Sequence, residues 1–127
     1  MIQKILWVAL GGAIGAVSRY LAGGWIHRIS GVDQFPIGTF VINFLGCALI
    51  GLCAGLPTHE LSDHSRTFLI VGILGGFTTF SSFGFETWVL MREGAWTLAC
   101  LNAVGQVVLG LFGVGLGTYL AVRLSAT

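Results

Sequence analysis

Charge is what this chain has least of. Its 127 residues include six Lys and Arg and five Asp and Glu, 9% in all, for a formal net charge of +1. No basic cluster exists, which excludes nucleic acid or polybasic recognition of lipid headgroups as the main activity. Proline is also scarce, with two residues. Cys47, Cys53 and Cys100 are odd in number, lie inside apolar runs and lack the spacing of a metal or redox motif, so they read as small buried hydrophobes. His27, His59 and His64 are placed in connecting loops. No pairing of a nucleophile with a base, and no metal-ligand spacing, can be assembled from these residues, and an enzyme is excluded on that ground.

What is present is apolar. Hydrophobic residues make up 55% of the chain and the mean hydropathy is +0.91, too apolar for a soluble domain of this size. A hydrocarbon core about 30 Å thick takes about 20 apolar residues per helix. Four such runs occur, at residues 5–22, 36–56, 68–91 and 95–120, separated by polar connections at 27–34, 57–66 and 92–94. Arg19 inside the first run, with no small-residue cleavage site and soluble domain after it, argues against a cleaved signal peptide. The expectation is an all-α membrane protein with residues 1–127 as a single transmembrane domain in the lipid bilayer. The 20 glycines, scattered through apolar segments, are suited to close helix packing. Gly11/Gly15, Gly51/Gly55, Gly72/Gly76 and Gly113/Gly117 each repeat at four-residue spacing, without identifying which faces meet.

Orientation in a bilayer follows the excess of Lys and Arg on one side. Here Lys4, Arg66 and Arg123 would lie on one side and Arg28 and Arg92, with Arg19 near a helix end, on the other. A chain so evenly balanced can insert both ways. A small chain that cannot enclose a pathway alone is then naturally completed by an antiparallel two-fold homodimer, with a monomer oriented by its first helix, or an accessory subunit, as the alternatives.

The third span is the most informative. It reads Gly72-Ile73-Leu74-Gly75-Gly76-Phe77-Thr78-Thr79-Phe80-Ser81-Ser82-Phe83-Gly84-Phe85-Glu86. Adjacent glycines followed by hydroxyl residues in mid-membrane predict a broken helix near residues 75–79, since free backbone groups are tolerated there only where protein or water satisfies them. Such breaks aim carbonyls at cations or helix N-termini at anions. Beyond it, Phe80 and Phe83 share one side, and Thr79, Ser82 and Glu86 an adjoining stripe. Ring edges carry partial positive charge and hydroxyls donate hydrogen bonds, so the two stripes together suit a small anion. Elsewhere Thr39 and Asn43 share a face of the second span, and Asn102 and Gln106 one of the fourth. For each amide, a pathway role and a helix-to-helix hydrogen bond are both open, as are snorkelling or pairing for Arg19 and pairing or proton binding for Glu86.

The run Gly75-Gly76-Phe77-Thr78-Thr79-Phe80-Ser81-Ser82-Phe83, followed by Glu86-Thr87, resembles the signature of the Fluc/CrcB fluoride channel family. Gly11-Gly12-Ala13-Ile14-Gly15-Ala16 with Arg19, and Gly38-Thr39 with Asn43 and Gly46, resemble its first two helices. The resemblance implies a dual-topology homodimer with two antiparallel pores in the inner or plasma membrane. It implies passive fluoride export from the cytoplasm that lowers fluoride toxicity. Phe80 and Phe83 would be the pore phenylalanines and Asn43 the pore amide, with Thr39, Ser81, Ser82 and Glu86 in the polar track beside them. Arg19 would stand at a vestibule or in a structural role. Gly75 and Thr78 would offer carbonyls to a structural sodium ion at the dimer centre; no organic cofactor is implied. The fourth helix departs from the family pattern, with Asn102, Gln106 and Gly110 where relatives place hydroxyl or tyrosine side chains.

A fluoride pore must replace water with several modest donors in series and bind weakly enough to release the ion. No Lys or Arg lies between Pro36 and Leu56 or between Phe68 and Met91, so no strong cation would trap the ion in those spans. A proton-coupled small multidrug exchanger, the competing transporter, would need a central acid, typically in the first span. That span has none, and Glu86 stands near the end of the third.

Overall fold

The computed structural model describes residues 1–57 and 62–126, so His59 lies outside the described residues. Helix α1 spans Ile2–Ser30 and α2 spans Ile37–Gly55. The third span is built from α3, residues 63–77, and α4, Phe80–Arg92, and α5 spans Trp96–Leu124. Among the described residues, four helical segments are long and apolar enough to cross a bilayer, with α3 and α4 together forming the third.

The first and last helices outrun their hydropathy. Helix α1 continues beyond residue 22 to Ser30, where Gly31 takes a left-handed φ of 63° and ends it. Such a backbone costs glycine nothing and other residues a steric penalty. His27 therefore stands on the last turns of α1 and His64 on the first turn of α3, not in loops. Hydropathy marks the stretch that faces lipid, while the helix itself runs until its hydrogen bonding is broken. The same reason extends α5 past residue 120.

Helix α3 opens on Ser62, whose hydroxyl accepts from Ser65 N at 3.2 Å, and widens to π-helical hydrogen bonding over Thr67–Leu74. The glycine pair stays helical: Gly75–Phe77 close α3. The departure from helix falls on Thr78, with ψ 158°, and Thr79, at φ −151° and ψ 117°. Thr79 then caps α4 by accepting from Ser82 N through its hydroxyl at 3.2 Å, the ordinary way to satisfy a free N–H at a helix start.

The glycine repeats bind the subunit to itself. Gly11 and Gly15 of α1 lie against the α3 backbone, where a Cβ on Gly11 would stand 2.7 Å from Phe68 O and 2.8 Å from Gly72 Cα. Gly51 of α2 meets the backbone of Val114, and Gly117 of α5 meets that of Ala48. Helix α1 thus packs on α3, and α2 on α5, at backbone contact. Trp7 and Phe68 extend the first seam edge-to-face at 5.6 Å. Among the described residues, Ile42 and Asn102 are the largest fully buried side chains, so the interior holds an amide as well as aliphatic packing.

Candidate functional site

The extended pair at Thr78 and Thr79 is held from α2. Asn43 Oδ1 accepts from Thr79 N at 2.9 Å, and Asn43 Nδ2 donates to Thr79 O at 3.1 Å. One amide thus pairs with both backbone polar groups of Thr79, whose N–H lies outside the helix ladders and would be costly unpaired in hydrocarbon. Two carbonyls lose their ordinary partners in exchange. Thr79 N, four residues beyond Gly75, is directed to Asn43, and Ser82 N, four beyond Thr78, is directed to the Thr79 hydroxyl. Gly75 O and Thr78 O are left without those helical donors.

From Asn43 the hydrogen bonding continues in one sense. Asn43 Nδ2 also donates to Gln106 Oε1 at 2.6 Å. Gln106 Nε2 donates to Asn102 Oδ1 at 2.9 Å, and Asn102 Nδ2 to Thr87 Oγ1 at 2.9 Å. Thr87 in turn donates to Phe83 O at 2.8 Å. Asn102 is fully buried and Thr87 nearly so, and a buried polar chain of this kind is stable only when each member is satisfied.

Two cavities meet at Thr79. One, of about 800 Å³, is lined by Arg19, His27, Asp33, Thr39, Ser82 and Glu86, with Thr79 among others. The other, of about 310 Å³, is lined by Thr79, Asn43, Phe80, Phe83 and Gln106 together with Gly75 and Thr78. Within the first, Thr39 donates to Glu86 Oε1 at 2.6 Å, while Glu86 Oε2 is buried without a hydrogen-bond partner. Within the second, the Phe80 and Phe83 rings stand 5.4 Å apart, tilted by 59°. Phe80 is 82% exposed on the subunit. Of the residues singled out from sequence, Ser81 is set apart: its exposed hydroxyl lies 3.2 Å from that of Thr79 and lines neither cavity.

Three residues gain a firmer place than sequence reading gave them, where Thr79 stood only on a hydroxyl stripe, Gln106 only as an amide with its role open, and His27 in a loop. Thr79 carries the contacts of the extended pair, Gln106 joins Asn43 beside the phenylalanines, and His27 lines the larger cavity from the extended end of α1. The four-residue spacing of Asn102 and Gln106 was a visible signal for the second; no pattern in the sequence pointed to the third.

Chemically, the arrangement brings an amide, hydroxyls and two phenylalanine rings together around Thr79, with Glu86 and Arg19 on the wall of the larger cavity. It is suited to passing a small anion by successive weak contacts and has no reacting group.

Residues 6–118 match the family described as CrcB-like protein, Camphor Resistance (CrcB). The chain is 47% identical to the fluoride-specific ion channel FluC of Solibacter usitatus, over 95% of this chain and 100% of that one. It is 45% identical to the protein of the same name from Methylobacillus flagellatus, over 90% and 91% of the two chains, and 42% identical to that of Helicobacter pylori strain Shi470, over 91% of each.

Proposed function

The chain belongs to the CrcB family, and from that premise we propose that it is a fluoride-selective passive ion channel that exports fluoride from the cytoplasm and so lowers its toxicity. It is a multi-pass membrane protein and not an enzyme. The observation that carries the reading is the cavity in which Asn43 and the Phe80–Phe83 pair line one wall beside the extended Thr78–Thr79 segment. In this reading the third span is a broken helix and its break is the narrow centre of the pathway. Fluoride passes between the larger cavity, with Thr39, Ser82, Glu86 and Arg19 at its wall, and the phenylalanine pair. Ser81 adds a hydroxyl at the start of α4.

The assembly is read as an antiparallel homodimer in the inner or plasma membrane. The near-even division of Lys and Arg between the two sides supports dual insertion. A Phe80 ring 82% exposed at mid-span supports a second copy closing the wall that one subunit leaves open. A structural sodium ion at the dimer centre fits the donor set. Gly75 O and Thr78 O have lost their helical donors, both residues line the cavity beside Phe80, and hard cations prefer oxygen ligands. The ion would neutralise converging carbonyl dipoles and take no part in conduction.

The test is fluoride efflux from liposomes loaded with potassium fluoride and containing only this protein, with valinomycin present and chloride as the comparison anion. Fluoride release without chloride release is expected. Absence of flux from correctly folded dimers would move the accessory-subunit reading to the front.

A further inference from the structure

The direction of the buried hydrogen-bond chain is set at both ends. At one end Thr79 N is a donor only, so Asn43 must turn its oxygen to it and its nitrogen outward. Gln106 must then present Oε1, Asn102 must present Oδ1, and Thr87 must accept before it donates to Phe83 O. At that far end Phe83 O is an acceptor only, which demands the same sense. None of the three amides can flip without leaving two like groups face to face.

A consequence follows for Asn43. Both of its N–H groups are used, one on Thr79 O and one on Gln106 Oε1, so it has no free donor for an anion. The bond to Thr79 is one of a pair that holds the extended segment, and breaking it opens the centre of the third span. The bond to Gln106 has no such duty, and Asn43 and Gln106 both border the cavity that holds Phe80 and Phe83. Gln106 hangs on three side-chain torsions, and its other end is tied to Asn102 one helical turn away, so Oε1 can withdraw while the side chain stays anchored.

We infer that Gln106 is a positioning residue that tunes how tightly the pathway holds fluoride: its Oε1 occupies the one releasable N–H of Asn43 and yields it to fluoride. This rests on the fluoride-channel reading and deepens it. Fluoride then gains only the difference between its own hydrogen bond and the one it displaces. That exchange keeps the ion bound loosely enough to leave, which a pore must do. When the ion departs, Gln106 returns, and the amide never stands unsatisfied in a dry environment.

The experiment measures initial fluoride efflux from liposomes against fluoride concentration for the parent protein, Gln106→Met and Gln106→Asn, each checked for dimeric assembly by size-exclusion chromatography. Methionine keeps the length without an acceptor; asparagine keeps an amide too short to reach Asn43. In both, the free N–H should hold fluoride more tightly, lowering the half-saturating concentration about tenfold, equivalent to about 1.4 kcal/mol, and lowering the maximal rate with it. A fall in maximal rate at unchanged half-saturation would assign Gln106 to structure alone and overturn the inference. So would curves superimposable on the parent's. If methionine prevents assembly, the asparagine variant decides by the same criteria. A parent protein that releases no fluoride would overturn the channel reading itself, an outcome distinct from both.

Discussion

The Thr39 hydroxyl donates to Glu86 Oε1 at 2.6 Å, joining α2 to α4 inside the larger cavity. This is the contact between the second span and the part of the third beyond the extended pair, and it puts a carboxylate on a pathway proposed for an anion. A hydrogen bond to a charged group contributes about 1.5–3 kcal/mol. Thr39→Val is therefore expected to lower stability by about 1.5–3 kcal/mol in chemical unfolding from detergent micelles. Glu86→Gln keeps an oxygen for Thr39 and should lose less stability than Thr39→Val; an equal loss in both variants would show that the charge, and not the shared hydrogen, is what matters there.

A methyl group separates the packing glycines from the free ones. On Gly15 it would run into Ile73 O and on Gly117 into Ala48 O, both backbone atoms that cannot step aside, whereas on Gly12 it would meet nothing within 4 Å. Gly15→Ala and Gly117→Ala should each cost about 1–3 kcal/mol by overpacking and reduce the yield of folded protein in the membrane. Gly12→Ala should express and conduct like the parent. Thermal unfolding of the three variants checks the ordering, and a Gly15→Ala protein as stable as Gly12→Ala would contradict backbone contact between α1 and α3.

That contrast also marks where sequence stops being legible. Four spans could be counted because bilayer thickness dictates helix length, and α2 follows its apolar run almost residue for residue. The glycine spacing announced close packing, but which helix each stripe faces depends on how the bundle closes, and Gly11 and Gly12 look alike in a string of letters. The end of α1 depended on the backbone of Gly31, which hydropathy does not sense. Asn43 and Phe80 were chosen from their chemistry at an improbable depth. Gln106, four residues from Asn102, could be noticed but not placed, because an amide on a helix says nothing of its partner until α2 and α5 are brought together.

Within the proposed pathway, Phe80 and Asn43 should separate conduction from folding. Phe80 is 82% exposed on the subunit, so Phe80→Ile should leave the subunit fold intact and abolish fluoride efflux by removing a ring edge. Asn43→Asp keeps an oxygen for Thr79 N but places a negative charge where the ion would pass. A like charge about 4 Å away costs about 4 kcal/mol at an effective dielectric of about 20, which corresponds to a loss of about three orders of magnitude in rate. Electrode recordings from liposomes check both. Efflux at the parent rate from either variant would place the pathway elsewhere.

The proposed antiparallel arrangement makes a prediction that depends on charge alone. With four spans, Lys4, Arg66 and Arg123 would lie on one side of the bilayer and Arg28 and Arg92 on the other, with Arg19 near the second group, a division even enough for a few substitutions to decide orientation. Gln3→Lys with Ser125→Lys should fix one orientation, and Lys4→Gln with Arg123→Gln the other, as read by thiol labelling of a cysteine introduced near the C-terminus. Expressed alone, each doubly substituted chain can form few antiparallel pairs and should lose most of its fluoride flux. Expressed together they should regain it, because each supplies the orientation the other lacks. If each chain alone conducts at the parent rate while labelling shows a single orientation, a parallel or monomeric pore must carry the ion, and the exposed face of Phe80 would then belong against lipid.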